Sequence, residues 1–245
     1  MEHLFILIVL AILAEILGTV GGFGSSLFFV PIATYFLDFY SALGITALFH
    51  ISSNLVKIGF FRKGFDKKLV FSVGAPALLF VIIGAFLSKY IETKILEFSL
   101  AFFLIILSLV LLIFRNLALK PTLFNAIGNG VFSGLIAGLI GTGGAIRGLT
   151  LAAFDLKIEV FIATSAIIDL MTDSGRSIVY FFNGYIHKED LYLIPILFLV
   201  SIAGTFIGKK ILHYISEEQF KSIVLILVLF TGVLTLSKII YSSAK

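Results

Sequence analysis

The chain has no cysteine and no tryptophan, only four prolines and four histidines, and charged residues make up just 13% of its 245 positions. Each shortage removes a class of function. Without cysteine there is no disulfide framework and no cysteine-ligated zinc or iron–sulfur centre, and His3, His50, His187 and His213 are too scattered to offer metal-ligand spacing. No metal site is expected and no cofactor is implied. So little charge, beside 60% hydrophobic residues and a mean hydropathy of +1.15, excludes a soluble globule with a charged surface. An integral membrane protein is expected. No basic run is interleaved with aromatics, so the net charge of +4 reads as loop lysines and arginines facing anionic lipid, with no nucleic-acid partner.

What is present is apolar length broken by glycine. A spanning helix needs about 20 apolar residues. The punctuation predicts segments near 3–20, 25–39, 42–61, 69–88 and 95–114, then 122–140, 144–155, 158–182, 190–208 and 217–238. The first run lacks the basic n-region of a signal peptide and reads as a mature span. Segments 25–39 and 144–155 are short for a full crossing and follow glycine clusters, as half-helices or re-entrant segments do. The fold class is therefore all-α, a polytopic membrane helix bundle, with the stretch from Arg115 to Pro121 linking a first repeat (1–115) to a second (122–245).

The repeats show in residues that an apolar chain has least reason to duplicate. Gly22 and Gly24 recur 119 positions later as Gly141 and Gly143, and Pro76 recurs as Pro195. The same offset carries Thr46, His50, Ser53, Asn54 and Lys57 onto Ser165, Asp169, Thr172, Asp173 and Arg176. Such duplication reads as a transporter built from two related halves around one central site. The strongest basic cluster, Arg62, Lys63, Lys67 and Lys68, is expected in the cytoplasm. With five passes per half, the loop at Arg115 and Lys120 and the residues Lys209, Lys210 and Lys221 are also inside, both termini are outside, and the repeats are inverted. Lys89, Lys94 and Lys188 fall on the minority side. If the short segments only dip in and return, there are eight spans and the repeats run parallel. Tyr40, Tyr90, Tyr185, Tyr192, Tyr214 and Tyr241 are placed for an interfacial belt. Gly130, Gly134 and Gly138 form a stripe for close helix packing.

The candidate site lies on the two ladders. Residues three or four apart share a helix face, so Ser165, Asp169, Thr172, Asp173 and Arg176 form one polar seam and Thr46, His50, Ser53, Asn54 and Lys57 another. A charge at membrane depth costs about 2.5–3.5 kcal/mol on insertion scales, and such residues line a pathway or pair with one another. The bland alternative is an Asp173–Arg176 ion pair that satisfies itself, with Lys57 and His50 snorkelling to the interface. Glycine runs at Gly21–Ser26, with Gly22, Gly24, Ser25 and Ser26, and at Gly141, Thr142, Gly143 and Gly144 allow backbone N–H groups and a helix N-terminus to point at an anion. Arg147 follows the second run where the first half has Phe28. The reading places a small oxyanion between these loops, with Ser25, Ser26 and Thr142 donating and Lys57 and Arg176 supplying charge. Asp169, Asp173 and Glu15 are then proton-coupling or gating carboxylates, since burial disfavours their charged form.

At these residues the chain resembles the TauE/SafE family of sulfite and organosulfonate exporters. The features are a first span, a Gly-rich turn, Pro31 just after it, the corner Phe61-Arg62-Lys63-Gly64-Phe65 and the span bearing Gly84, with Phe181-Phe182-Asn183-Gly184-Tyr185 repeating the corner. The resemblance implies a secondary carrier of small sulfur oxyanions or sulfonates in the cytoplasmic membrane of a prokaryote. Serines stand at 25 and 26 where the family's glycine run is longer. An anion-selective channel and a cation carrier using the intramembrane carboxylates are the competing readings. An enzyme is not expected, because no nucleophile–base pair and no extramembrane domain is visible. The expected partners are a small anion and the lipid bilayer, with room for a homo-oligomer.

Overall fold

Glycine, proline and capping side chains decide where the helices begin and end. In the computed structural model, residues 2–22, 24–114, 120–212, 214 and 217–243 are described, apart from the side chains of 217–225, 227 and 242–243. Ten main helices follow along these residues: α1 Glu2–Gly21, α2 Ser26–Ala33, α3 Phe39–Phe60, α4 Lys67–Ser88, α5 Thr93–Ile113, α6 Leu123–Ile140, α7 Gly144–Ala152, α8 Ile158–Phe182, α9 Leu193–Ile211 and α10 Glu217–Ser243. No strand occurs among them. Asp38 starts α3 by accepting the N–H groups of Tyr40 and Ser41 at 3.1 Å each, and Thr122 starts α6 by accepting that of Asn125. Gly141, at φ +80°, ends α6 in the left-handed conformation that a side chain would disfavour. A π turn at Val70–Gly74 carries α4 toward Pro76, whose ring nitrogen cannot donate to the ladder.

Six of these helices, α1, α3, α4, α5, α6 and α9, are long and apolar enough to cross a membrane. The chain is a multi-pass membrane protein. Large apolar side chains such as Phe5, Phe86, Phe102 and Phe198 lie on outward faces, as a lipid solvent allows. The two short segments are shorter than the sequence suggests, because each helix ends at an alanine and a turn takes up the rest. Both fold back along the helix before them: Ser25 lies against Gly18, and the Phe36 ring is 6.5 Å from that of His3 at the start of α1. In the same way Gly143 lies against Ser133, and Asn129 donates to the Ile146 carbonyl.

Small residues then set which long helices meet. A Cβ on Gly130, Gly134 or Gly138 would lie 2.3–2.4 Å from the carbonyls of Val73, Ala77 and Val81, so the stripe seats α6 directly on the α4 backbone. On the other side of the bundle α1 packs against α9, where Gly204 and Gly208 accept Glu15 and Thr19. The central pair is α3 with α8. Ser41 meets His187 beyond the end of α8, Asn54 meets Asp173, and Lys63, just past α3, meets Glu159 in the first turn of α8, so the two run antiparallel. Among the tyrosines assigned to the belt, Tyr90, Tyr192, Tyr214 and Tyr241 are exposed and Tyr40 is partly covered. Tyr185 is buried, stacked on Tyr40 with its hydroxyl 3.0 Å from Ser88. Phe23, Arg115, His213 and the Lys221 side chain lie outside the described residues.

Candidate functional site

Glu15 points from α1 toward α9 where Gly204 leaves space beside its Cβ and Cγ. A carboxylate sealed from solvent is tolerated only if its charge is matched and its oxygens are bonded. Glu15 has both. Lys57 Nζ lies 2.9 Å from Oε1, and the hydroxyls of Ser25 (2.6 Å), Ser53 (2.7 Å), Thr205 (3.1 Å) and Thr19 (3.4 Å) donate to it. Ser25 gives its single proton to Glu15, so at 3.1 Å from His50 Nε2 it accepts, and the ring N–H is the donor. His50 Nδ1 lies 3.8 Å from Asp173 Oδ2.

Asp173 belongs to a second pair. Arg176 Nε and Nη2 grip its Oδ1 at 2.9 and 2.8 Å, and Asn54 Nδ2 donates to Oδ2 at 2.8 Å. The remaining end of the guanidinium, Nη1, donates to the Gly141 carbonyl at 2.7 Å and so satisfies a helix-end acceptor of α6. Asn54 and Asp173 stand 119 positions apart, at matching rungs of the two ladders. The seams meet.

The third pair is Arg147 with Asp169. Arg147, just after the second glycine run, is fully buried and donates through Nη2 to Asp169 Oδ1. Its Nε has no partner in the protein. Asp169 is the least enclosed of the three carboxylates, with 15% of its side chain exposed, and Ser165 reaches its Oδ2 only at 3.4 Å. It lines a narrow cleft formed by Gly18, Gly22 and Gly24 with Asn54, Lys57, Ile162, Ser165 and Ala166. The cleft has room for about one water molecule.

Six of the residues singled out from sequence therefore share the cleft: Gly22, Gly24, Asn54, Lys57, Ser165 and Asp169. Glu15, Ser25, His50, Ser53, Arg147, Asp173 and Arg176 stand behind it as the bonded network. The glycine runs do not straddle a cavity; Ser26 at the start of α2 donates to Thr142 at 3.3 Å, and Gly141 and Gly143 pack against Leu43 and Ser133 while Gly144 opens α7. Thr46 and Thr172 turn their hydroxyls back onto Ala42 and Ile168 of their own helices. Sequence reasoning missed Thr19 and Thr205 as ligands of Glu15, and Tyr180, whose hydroxyl donates to the Gly138 carbonyl at 2.7 Å. Thr19 was findable, one helical turn past Glu15; Thr205 comes from a distant helix with no offset partner.

The two ends of the α3–α8 pair differ. At the end away from the cleft, Tyr40 stacks on Tyr185 with ring centres 4.3 Å apart, and Ser41 bonds His187 at 2.7 Å. Burial pushes the Tyr185 phenol up to about 12, so it stays a neutral donor or acceptor. Burial raises the Asp38 carboxyl, but the hydrogen bonds from Ser41 and Tyr40 and the nearby His187 hold it below its usual range overall. At the cleft end the residues just past α3 meet α8 through the ion pair Lys63–Glu159, at 2.9 Å, and through the Asp66 N–H, which donates to the Thr164 hydroxyl at 2.9 Å.

The family model described as sulfite exporter TauE/SafE matches residues 7–235, nearly the whole chain. The chain belongs to the TauE/SafE family. No curated protein and no solved structure matches it. TauE/SafE is a family of membrane exporters of sulfur anions rather than of enzymes. Among the described residues of this TauE/SafE member, the buried cations Lys57, Arg147 and Arg176 are each held by a carboxylate.

Proposed function

We propose that the protein is a secondary carrier moving a small sulfur oxyanion or sulfonate across the cytoplasmic membrane of a prokaryote by alternating access. Two inverted repeats, 1–115 and 122–245, form the carrier, with both termini outside. One observation carries this reading: α3 and α8, at matching positions in the two halves, run antiparallel and touch at the matching residues Asn54 and Asp173. Equivalent residues of two related units meet only on the axis that relates them, and antiparallel helices on such an axis require it to lie across the helices.

The substrate site is the cleft, with Asn54, Lys57 and Ser165 on its wall and Arg147 behind Asp169. The cleft lies toward the end carrying Arg62, Lys63, Lys67 and Lys68, the cytoplasmic end by the positive-inside rule, while the aromatic stack of Tyr40 and Tyr185 closes the outer end. A channel would need a continuous wet pore, and a cleft admitting about one water favours a carrier. A cation carrier would need surplus negative charge, whereas each buried carboxylate here has its own cation.

The test is ligand-induced thermal stabilisation of the purified protein with sulfite, isethionate, sulfate and acetate against sodium chloride, followed by counterflow of the binding anion in proteoliposomes. Sulfur oxyanions at a hundredfold excess over Kd are expected to add about 2.7 kcal/mol. Stabilisation by sodium alone would transfer the site to a cation.

A further inference from the structure

Resting on the carrier reading, we infer that Arg147 and Asp169 form an exchangeable pair: a proton taken up by Asp169 releases Arg147 to bind the anion, so that anion and proton occupy the site together. The proton comes from water in the cleft and bonds to a carboxylate oxygen of Asp169. The N–H groups of Arg147 that Asp169 then gives up are taken by the oxygens of the anion. On release at the other face the proton returns to water and the ion pair closes again.

Three observations single out this pair. Asp169 is the only one of the three paired carboxylates on the cleft wall and has the fewest strong bonds, whereas Glu15 receives four hydroxyl donors besides Lys57 and is sealed from solvent. Neutralising Glu15 would strand Lys57 and those donors; neutralising Asp173 would free a guanidinium whose other end is tied to Gly141. Of the three paired cations, Arg147 alone has a buried nitrogen without a partner. Its Nε is buried and has no partner, while Nη2 beside it is the atom bonded to Asp169. These two N–H groups are one edge of the guanidinium fork, the edge that grips an oxyanion through two parallel hydrogen bonds. Asp169 meets it through one contact; an anion with two or three equivalent oxygens can meet both.

The surroundings permit such an exchange. The ionisable groups facing the pair are Lys57 and His50 from α3, Asp173 and Arg176 further along α8, and Glu15 behind Lys57 on α1. Helices α2 and α6 contain no ionisable side chain, and those of α4 sit in its first turn. Adding an anion and a proton together leaves the buried charge of this group unchanged. Adding the anion alone would leave one uncompensated negative charge, which a low-dielectric interior strongly disfavours.

Isethionate is a suitable probe, because a sulfonate has no group that titrates near neutral pH. Calorimetry of its binding to the intact protein, in two buffers of different ionisation enthalpy, is expected to report uptake of about one proton per anion. Asp169→Asn is expected to bind isethionate without proton uptake and with affinity independent of pH, and to exchange anions in proteoliposomes while no longer responding to a pH gradient. Binding by the wild type without proton uptake sinks the exchange while leaving the carrier reading intact, and so does undiminished uptake in Asp169→Asn. If that variant fails to fold, infrared difference spectra of the wild type with labelled aspartate decide: a protonated carboxyl band appearing on isethionate addition supports the exchange, and its absence overturns it. If neither sulfite nor any sulfonate binds the wild type, the carrier reading itself falls and the exchange with it.

Discussion

Two buried ion pairs of the same chemistry, Glu15–Lys57 and Arg147–Asp169, border one cleft through Lys57 and Asp169 and are built in opposite ways. The first joins α1 to α3 and is enclosed by hydroxyls from α1, α3, α9 and Ser25 just before α2. The second joins α7 to α8, has one guanidinium nitrogen without a partner and one weak hydroxyl contact, and its carboxylate reaches the cleft. Charge in the interior thus serves two purposes. Where the carboxylate is fully bonded, the pair ties α1, α3, α9 and the turn before α2 to one another; where matching is incomplete, the exchange inferred above has the pair opened by an anion that matches it better.

The largest expected effect breaks the enclosed pair. Glu15→Ala leaves Lys57 as an uncompensated buried cation and removes the acceptor of four hydroxyls, at a cost of about 3–5 kcal/mol in stability. The loss would be read as a fall in unfolding midpoint and yield in detergent. Combining Glu15→Leu with Lys57→Met, which removes both charges at similar volume, is expected to recover most of the loss. If Glu15→Ala were no more damaging than Asp169→Ala, the contrast between the two pairs would be wrong.

A smaller effect sharpens the comparison at the level of helix packing. In the α6–α4 contact the small residue is on α6, and a methyl on Gly134 would meet the Ala77 carbonyl at 2.3 Å, with no flexible atom to give way. In the α1–α9 contact the small residue is on α9, and a methyl on Gly204 would meet the Cβ and Cγ of Glu15 at 2.7 Å and the Ile12 carbonyl at 3.3 Å. Gly134 and Glu15 occupy matching positions, so placing the glycine on the partner helix is what gives the first half room for its carboxylate. Gly134→Ala is expected to cost about 1–3 kcal/mol through helix displacement. Gly204→Ala is expected to cost as much or more, because the Glu15 Cβ moves only with the α1 backbone and its carboxylate is held by Lys57 and four hydroxyls, and a clearly smaller cost would argue against this account.

The same asymmetry explains what the sequence could and could not reveal. Helix order, the short α2 and α7 and the polar seams were legible because apolar length, glycine and three- or four-residue spacing are local signals. The pairing of charges was not. Asp173 and Arg176 are one turn apart and could be matched on paper, but Lys57 finds Glu15 across 42 residues and Arg147 finds Asp169 through a turn of the chain. Lys57 therefore looked free for an anion when it already holds a carboxylate, and Arg176 holds the one a turn away. The glycine runs look like a clamp in sequence, yet Ser26 and Thr142 bring them into contact, leaving the cleft beside the first run alone.

The smallest effect is expected at the cleft end of the bundle, where Lys63 and Glu159 form an ion pair 2.9 Å long with the lysine side chain 74% exposed. Its geometry is as close as that of Glu15–Lys57, so a view in which distance sets the strength of an ion pair would rank the two together. Water is the difference. Lys63 stays hydrated and Glu159 is partly so, at 21% side-chain exposure, the attraction is screened by salt, and holding a long side chain in one rotamer costs entropy that offsets most of the gain. Lys63→Ala is expected to change the unfolding free energy by about 0–1 kcal/mol, shrinking further at high ionic strength. A loss comparable to that of Glu15→Ala would mean that this end is closed by its surface pair, and that burial does not separate the structural charges of this protein from the rest.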